Sequence, residues 1–135
     1  MSPSDRPPEF FIDRSLGRKH LATALAGRGV TARTMASVYG EARAQELSDE
    51  EWLRDAGAND WVVLMKDAAI RSRPAERDAL AAAGVRAFCL TNANLRAAEQ
   101  TQRFLDQLDA IFDELTTPGP WICGVYSDGV RRIWP

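Results

Sequence analysis

The sequence contains few of the residues that build zinc sites and disulfide frameworks, and it has no long apolar run. Its 135 residues include two cysteines and one histidine. Cys89 and Cys123 lie in apolar, strand-like runs with no metal-ligand spacing between them, so we expect buried thiols, which are typical of the reducing cytoplasm. No apolar run approaches the ~20 residues that span a membrane, and the opening residues have no hydrophobic signal region. We therefore expect a cytoplasmic protein without a transmembrane segment.

The chain also lacks an excess of basic charge. Lys and Arg number 17 and Asp and Glu number 19, which gives a net charge of −2. Without a global basic field, a nucleic-acid partner would have to be held by a local basic patch. Length and composition are those of an ordinary globular domain. We expect residues 1–8, with three prolines, to form a flexible tail and residues 9–135 to form a single domain.

Short apolar runs alternate with helical periodicity along the chain, a pattern typical of an α/β domain with a parallel sheet. The predicted strands cover residues 10–12, 31–35, 61–65 and 85–90, and the predicted helices cover 17–28, 74–83 and 94–115. A further helix opens at Ser48, which forms a capping box with Glu51. Residues 36–47 could be a loop or a frayed helix. The last residues predict a β-hairpin with its turn at 127–129.

Acidic residues follow two of the predicted strands. Asp13 comes directly after Ile12, and Asp67 comes two residues after Met65. Because open parallel sheets bind ligands at the carboxyl ends of their strands, these carboxylates converge if the two strands are neighbours. Asp49 lies in the first turn of the helix before the 61–65 strand. The sequence leaves open whether that turn faces the same end of the sheet.

Crowded carboxylates require a cation or bound protons. Two unit charges ~4 Å apart interact by about 4 kcal/mol at an effective dielectric near 20. Oxygen ligands without a histidine or cysteine cluster favour Mg²⁺ or Mn²⁺ over zinc. The alternative is that Asp13 and Asp67 cap a helix and a turn, and that Asp49 complements a helix dipole.

Basic residues surround and follow the second of these acids. Lys66, Arg71 and Arg73 could bind a phosphate backbone beside a metal site. The alternative is a solvated helix face with local ion pairs to Glu76 and Asp78. The sequence does not choose between these two interpretations.

The segments "FFID" and "LSDEEWLRDAGANDWVVLMKD", together with the α/β order, resemble the PIN-like nucleases. They resemble in particular the VapC-type ribonuclease toxins of bacterial toxin–antitoxin pairs, over residues 9–115. The resemblance implies a three-layer α/β/α fold with a mainly parallel central sheet. It also implies an endoribonuclease that hydrolyses RNA phosphodiester bonds, with Asp13, Asp49 and Asp67 as catalytic ligands of Mg²⁺ or Mn²⁺. A cognate antitoxin and a homodimer are further expectations.

The chain departs from the family pattern in two places. The family usually has a further acid on a helix, for which Glu41, Glu46 or Glu50 would have to serve here. A small hydroxyl residue commonly precedes the last acid, where this chain has Met65 and Lys66. These departures keep open a PIN-like binding module without turnover.

A second alternative is a phosphoacceptor receiver domain, which also places an aspartate at the end of a central strand. Such domains carry paired acids after the first strand and a lysine after a late strand. The sequence has "FIDRS" and "FCLTNAN" at these places, which does not favour a receiver.

Overall fold

The computed structural model of the protein describes residues 7–16, 19–66, 70, 72–92 and 94–135. In these ranges the chain forms six strands and seven α-helices. They follow one another as β1 (Glu9–Ile12), α1 (His20–Ala26), β2 (Thr31–Thr34), α2 (Met35–Tyr39), α3 (Glu41–Glu46), α4 (Asp49–Ala58), β3 (Val62–Met65), α5 (Pro74–Ala83), β4 (Arg86–Leu90), α6 (Ala97–Asp106), α7 (Leu108–Glu114), β5 (Trp121–Tyr126) and β6 (Gly129–Trp134). A 3-10 turn, Arg14–Leu16, follows β1. Most of the predicted tail lies outside the described residues.

The six strands form one sheet in the order β2-β1-β3-β4-β5-β6. Neighbouring strands are parallel except β5 and β6, which form an antiparallel hairpin. The predicted α/β fold with a mainly parallel sheet and a C-terminal hairpin is therefore confirmed. β1 and β3 are neighbours, with Ile12 opposite Leu64. Both strands therefore end side by side at the carboxyl end of the sheet.

Helices cover both faces of the sheet, which explains the continuous apolar run of β1. Phe10 and Ile12 belong to the core on one face, against α1, α6 and α7. Phe11 points to the opposite face, which α2 to α5 cover. Its ring stacks on Trp52 and on Trp61, each with a centroid distance of 5.4 Å. Burial on both faces is typical of strands in a parallel sheet.

The helices differ from the prediction in two segments. Residues 36–47 belong mostly to two short helices, α2 and α3, and Thr34 with Ser37 forms a capping box at the start of α2. The single helix predicted over 94–115 is wrong, because α6 ends at Asp106 and α7 begins at Leu108. Gln107, between them, donates a hydrogen bond from its side-chain amide to the Ser127 carbonyl oxygen at 3.1 Å. Within the described ranges, no helix combines the length and apolar character needed to cross a bilayer.

Helices α4 and α5 lie side by side and run in the same direction. Gly57, near the end of α4, faces Ala83, the last residue of α5. A Cβ atom at Gly57 would lie 2.3 Å from the Ala83 carbonyl oxygen and 2.6 Å from its Cβ. The absence of a side chain at Gly57 therefore permits this approach. At the other end of the pair, the same packing brings the first turns of α4 and α5 together.

Replacing Gly57 by Ala should destabilise the protein by about 1–3 kcal/mol, because the added methyl group overlaps backbone atoms that cannot move independently. Urea unfolding followed by tryptophan fluorescence would measure the loss. Ala58→Val adds more volume at the exposed neighbouring position and should cost less than about 1 kcal/mol. Equal stability of Gly57→Ala and the wild type would contradict the close helix approach.

Candidate active site

A cavity of about 260 Å³ opens where β1 and β3 end. Its carboxylates come from three elements: Asp13 directly after β1, Asp49 in the first turn of α4, and Glu76 in the first turn of α5. We call it the acidic cavity; its other lining residues are Arg14, Ser15, Trp52, Met65, Ile70 and Arg73. The strand order reverses between β1 and β3, and open α/β sheets bind ligands at such a point.

Asp13 is held in place by hydrogen bonds to β3 and to the 3-10 turn that follows β1. Its backbone N–H donates to the Leu64 carbonyl oxygen of β3 at 3.0 Å. Its carboxylate accepts a hydrogen bond from the Ser15 hydroxyl at 2.7 Å. The Ser15 oxygen in turn accepts the backbone N–H of Lys66 at 3.2 Å. Ser15 therefore connects the Asp13 carboxylate to the chain that leaves β3.

Asp49 and Glu76 meet because α4 and α5 begin side by side. The Trp52 indole N–H donates to an Asp49 carboxylate oxygen at 2.8 Å. Trp52 is buried against Phe11, so the core sets the orientation of Asp49. The Glu76 carboxyl group lies close enough to Asp49 for that acid to disfavour the charged form of Glu76.

Electrostatics in the acidic cavity disfavour negative charge. Burial raises the pKa of Asp13, and the nearby charge of Asp49 raises it further, against the opposing hydrogen bond from Ser15. Burial is also the main cause of the raised pKa of Glu76. The interaction with the neighbouring Asp49 carboxyl group and the charge of Asp49 raise this pKa further. Arg73, whose guanidinium lies 3.5 Å from the Glu76 carboxylate, offsets part of this effect. The acidic cavity therefore favours a bound cation.

The donor set fits a hard divalent cation. Carboxylate oxygens are the ligands that Mg²⁺ and Mn²⁺ prefer. Among the described residues, no group of three or more His, Cys, Asp or Glu side chains could hold an ion by itself. A Mg²⁺ site is commonly built from one or two carboxylates completed by water and phosphate oxygens. Asp13 and Asp49 are the residues that would hold such an ion here.

The predicted site residues lie in different places. Asp13, Asp49 and Arg73 line the acidic cavity. Lys66 lies at its border, where its backbone N–H bonds to Ser15. The first turn of α4 therefore faces the same end of the sheet as Asp13, which the sequence had left open. Asp67 and Arg71 lie outside the described residues, so their proposed roles stay predictions.

Sequence reasoning missed the apolar and aromatic lining of the acidic cavity and three of its charged or hydroxyl residues: Arg14, Ser15 and Glu76. Of the further acids considered from the sequence, Glu46 and Glu50 are exposed, and Glu41 lines a different cavity. A signal for position 15 was available, because an aspartate side chain often accepts the backbone N–H two residues later, as Asp13 does from Ser15 at 3.4 Å. Glu76 gave no such signal, since its place depends on how α5 packs against α4.

Comparison with known proteins places this architecture in a family. The family model described as "PIN like domain" matches residues 8–92. The chain belongs to the PIN-like domain family, which confirms the predicted family and does not favour the phosphoacceptor alternative. It is 34% identical over 124 residues to "Putative ribonuclease VapC45" of Mycobacterium tuberculosis (strain ATCC 25618 / H37Rv), covering 92% of this chain and 90% of the relative. No solved structure matches the chain.

Replacing Asp13 by Asn should stabilise the metal-free protein, because the amide still accepts the Ser15 hydroxyl but carries no charge to desolvate. We expect a gain of about 1 kcal/mol, or roughly 4 °C in the unfolding midpoint for a domain of this length. Calorimetry in EDTA would measure it. Added Mn²⁺ should raise the midpoint of the wild type and leave that of the variant unchanged.

Asp109→Asn removes an exposed carboxylate from α7 and serves as the control. It should leave the response to Mn²⁺ unchanged and should not raise the metal-free midpoint, because Asp109 is an acid in the first turn of α7 and its charge favours the helix dipole. A full Mn²⁺ response in the Asp13 variant would mean that Asp13 does not bind the ion.

Proposed function

We propose that the protein is a Mg²⁺- or Mn²⁺-dependent endoribonuclease and the toxin of a VapBC-type toxin–antitoxin system. The observation that carries this proposal is the convergence of Asp13, Asp49 and Glu76 on one cavity at the carboxyl end of the sheet. Membership of the PIN-like family and similarity to a relative named as a ribonuclease support the same chemistry.

The chain's own residues would position the reaction. Ser15 and Trp52 orient the carboxylates of Asp13 and Asp49, so their oxygens are preorganised rather than mobile. Asp67 follows β3 in the sequence and is proposed as the third ligand. A bound Mg²⁺ or Mn²⁺ would supply the Lewis-acid chemistry that activates water and offsets charge on a phosphodiester.

Basic residues beside the acidic cavity would hold the RNA backbone. Arg14 and Arg73 line the acidic cavity itself, and Lys66 lies at its border. Arg71 is proposed for the same role from the sequence. Because the net charge of the chain is −2, these few cations must provide the local positive field that phosphate binding requires.

We further propose a cognate antitoxin as the partner, with a basic side chain entering the acidic cavity. Homodimerisation is a second expectation from the resemblance. Cys89 and Cys123 are buried thiols in the structure, in keeping with a reducing cytoplasm, where RNA and an antitoxin would both be available. Co-purification with the protein encoded by the adjacent gene would test the partner.

Cleavage of RNA should disappear when either cavity aspartate loses its charge. Asp13→Asn and Asp49→Asn should each lower Mn²⁺-dependent cleavage at least 100-fold, about 2.7 kcal/mol of transition-state stabilisation. Gel analysis of a labelled single-stranded RNA would measure this. Glu50→Gln, an exposed neighbour of Asp49 on the same turn, should keep wild-type activity. Metal and RNA binding without any cleavage by the wild type would identify a binding module instead.

Arg73→Gln should weaken RNA binding uniformly across sequences, since the residue would contact phosphate rather than bases. The slope of log affinity against log salt should become shallower by about one. Arg28→Gln removes an exposed arginine just beyond α1 and should leave the slope unchanged. Fluorescence anisotropy at four salt concentrations would separate the two variants. An unchanged slope for Arg73→Gln would exclude a phosphate contact.

A further inference from the structure

A second cavity, of about 350 Å³, lies beside the acidic cavity and differs from it in chemistry. Its wall is apolar and consists of Met35, Ala36 and Ala44, from α2 and α3. Met35 and Ala44 are buried, while Ala36 is half-buried and accessible from the cavity. The volume falls in the ~300–1,000 Å³ range of small-molecule sites, which are likewise mostly apolar with a few polar groups.

The two cavities adjoin at the carboxyl end of the sheet. Arg14 lines both of them. Thr34, at the rim of the second cavity, is paired across β1 and β2 with Ile12, the residue before Asp13. Neighbouring strands lie only ~4.8 Å apart. A ligand in the second cavity would therefore lie next to a group bound at Asp13.

Arg14 is fixed between the cavities. One of its terminal nitrogens donates a hydrogen bond to the Leu47 carbonyl oxygen at 2.6 Å. This bond ties the guanidinium to the end of α3. Arg14 is thus placed to contact a phosphate group of a nucleic-acid backbone that passes from one cavity to the other. Its planar guanidinium can also stack on a base.

The composition of the second cavity does not suit a cation or a phosphate. Its charged lining residues are one arginine and one glutamate, Arg14 and Glu41, and the rim also carries Thr34 and Gln45. An apolar wall with a polar rim matches a flat, uncharged group whose faces are apolar and whose edges form hydrogen bonds. Single-stranded RNA presents such groups when its bases are unstacked.

We propose that this second cavity is a base pocket, which binds one unstacked nucleobase of an RNA whose adjacent phosphate lies in the acidic cavity. The proposal rests on the proposed ribonuclease function and adds to it a binding site for one base beside the cleavage position. A base buried in the pocket would determine which phosphate of the RNA backbone lies beyond Arg14, in the acidic cavity. Its edge contacts with the rim would make cleavage depend on base identity.

The test combines a filled pocket with removal of single bases. Ala36→Phe places a ring in the base pocket, and Ala42→Phe, the same change at an exposed position of α3, is the matched control. Each protein is titrated with a set of fluorescein-labelled single-stranded RNAs that carry one abasic site at successive positions, with Ca²⁺, which takes the same oxygen ligands, in place of Mg²⁺ or Mn²⁺. Anisotropy gives the affinity for each RNA.

For the wild type and Ala42→Phe, one abasic position should lower affinity about tenfold, the size expected for one bound base. For Ala36→Phe, the intact RNA should bind about tenfold more weakly, and the same abasic site should have no further effect. Gln45→Ala, at an exposed rim position, should change which base is preferred at that position without unfolding the chain.

The outcomes separate this proposal from the proposed function. Hydrolysis of bis(4-nitrophenyl) phosphate with Mn²⁺ needs no base, so the wild type and Ala36→Phe should hydrolyse it equally. If this activity is present but no abasic position lowers RNA affinity in the wild type, the base pocket is wrong and the hydrolase stands. If the diester and RNA both remain intact while the abasic pattern appears, the base pocket stands and the nuclease is wrong. If the Ala36→Phe variant binds RNA normally but no longer binds the antitoxin, the cavity is a site for a protein partner and the proposal is overturned.

Discussion

Repulsion among half-buried carboxylates is the constraint around which the carboxyl end of the sheet is organised. Asp13 and Glu76 both have raised pKa values, primarily because burial disfavours their charged forms. A fold tolerates such a site only if other interactions hold the side chains in place. Here Ser15 and Trp52 supply hydrogen bonds to Asp13 and Asp49. The positions of the acids are thus fixed by groups that do not remove their repulsion.

Packing in the core links the positions of these carboxylates to the packing of α4 and α5. Phe11 of β1 stacks on Trp52 of α4, whose indole holds Asp49. At the far end of α4, Gly57 allows α5 to approach within backbone contact distance. Since both helices run in the same direction, that contact also determines where Glu76 meets Asp49. A substitution at Gly57, remote from the acidic cavity, therefore acts on its geometry as well as on stability.

Much of this organisation could be predicted from local sequence patterns, and the rest depends on tertiary packing. The apolar runs ending at Ile12 and Met65 predicted two strands of a parallel sheet, and the acid after the first strand predicted the site. Ser48 and Glu51 correctly predicted the start of α4. Glu76 could not be found in this way, because its partner Asp49 is distant in sequence. The break at Gln107 was also hidden, since apolar spacing continues across it from Phe104 to Leu108 and Ile111.

The order of the strands explains why two cavities of different chemistry lie next to each other. β1 has β2 on one side and β3 on the other, so the chain after β1 separates the space above the sheet into two parts. On the β3 side, the first turns of α4 and α5 bring carboxylates together. On the β2 side, α2 and α3 are short, and their apolar residues form the wall of the second cavity. Among the described residues that line this cavity, Glu41 is the one acid. Arg14 lies at the boundary because it directly follows Asp13, so one turn of chain couples a charged cavity to an apolar one.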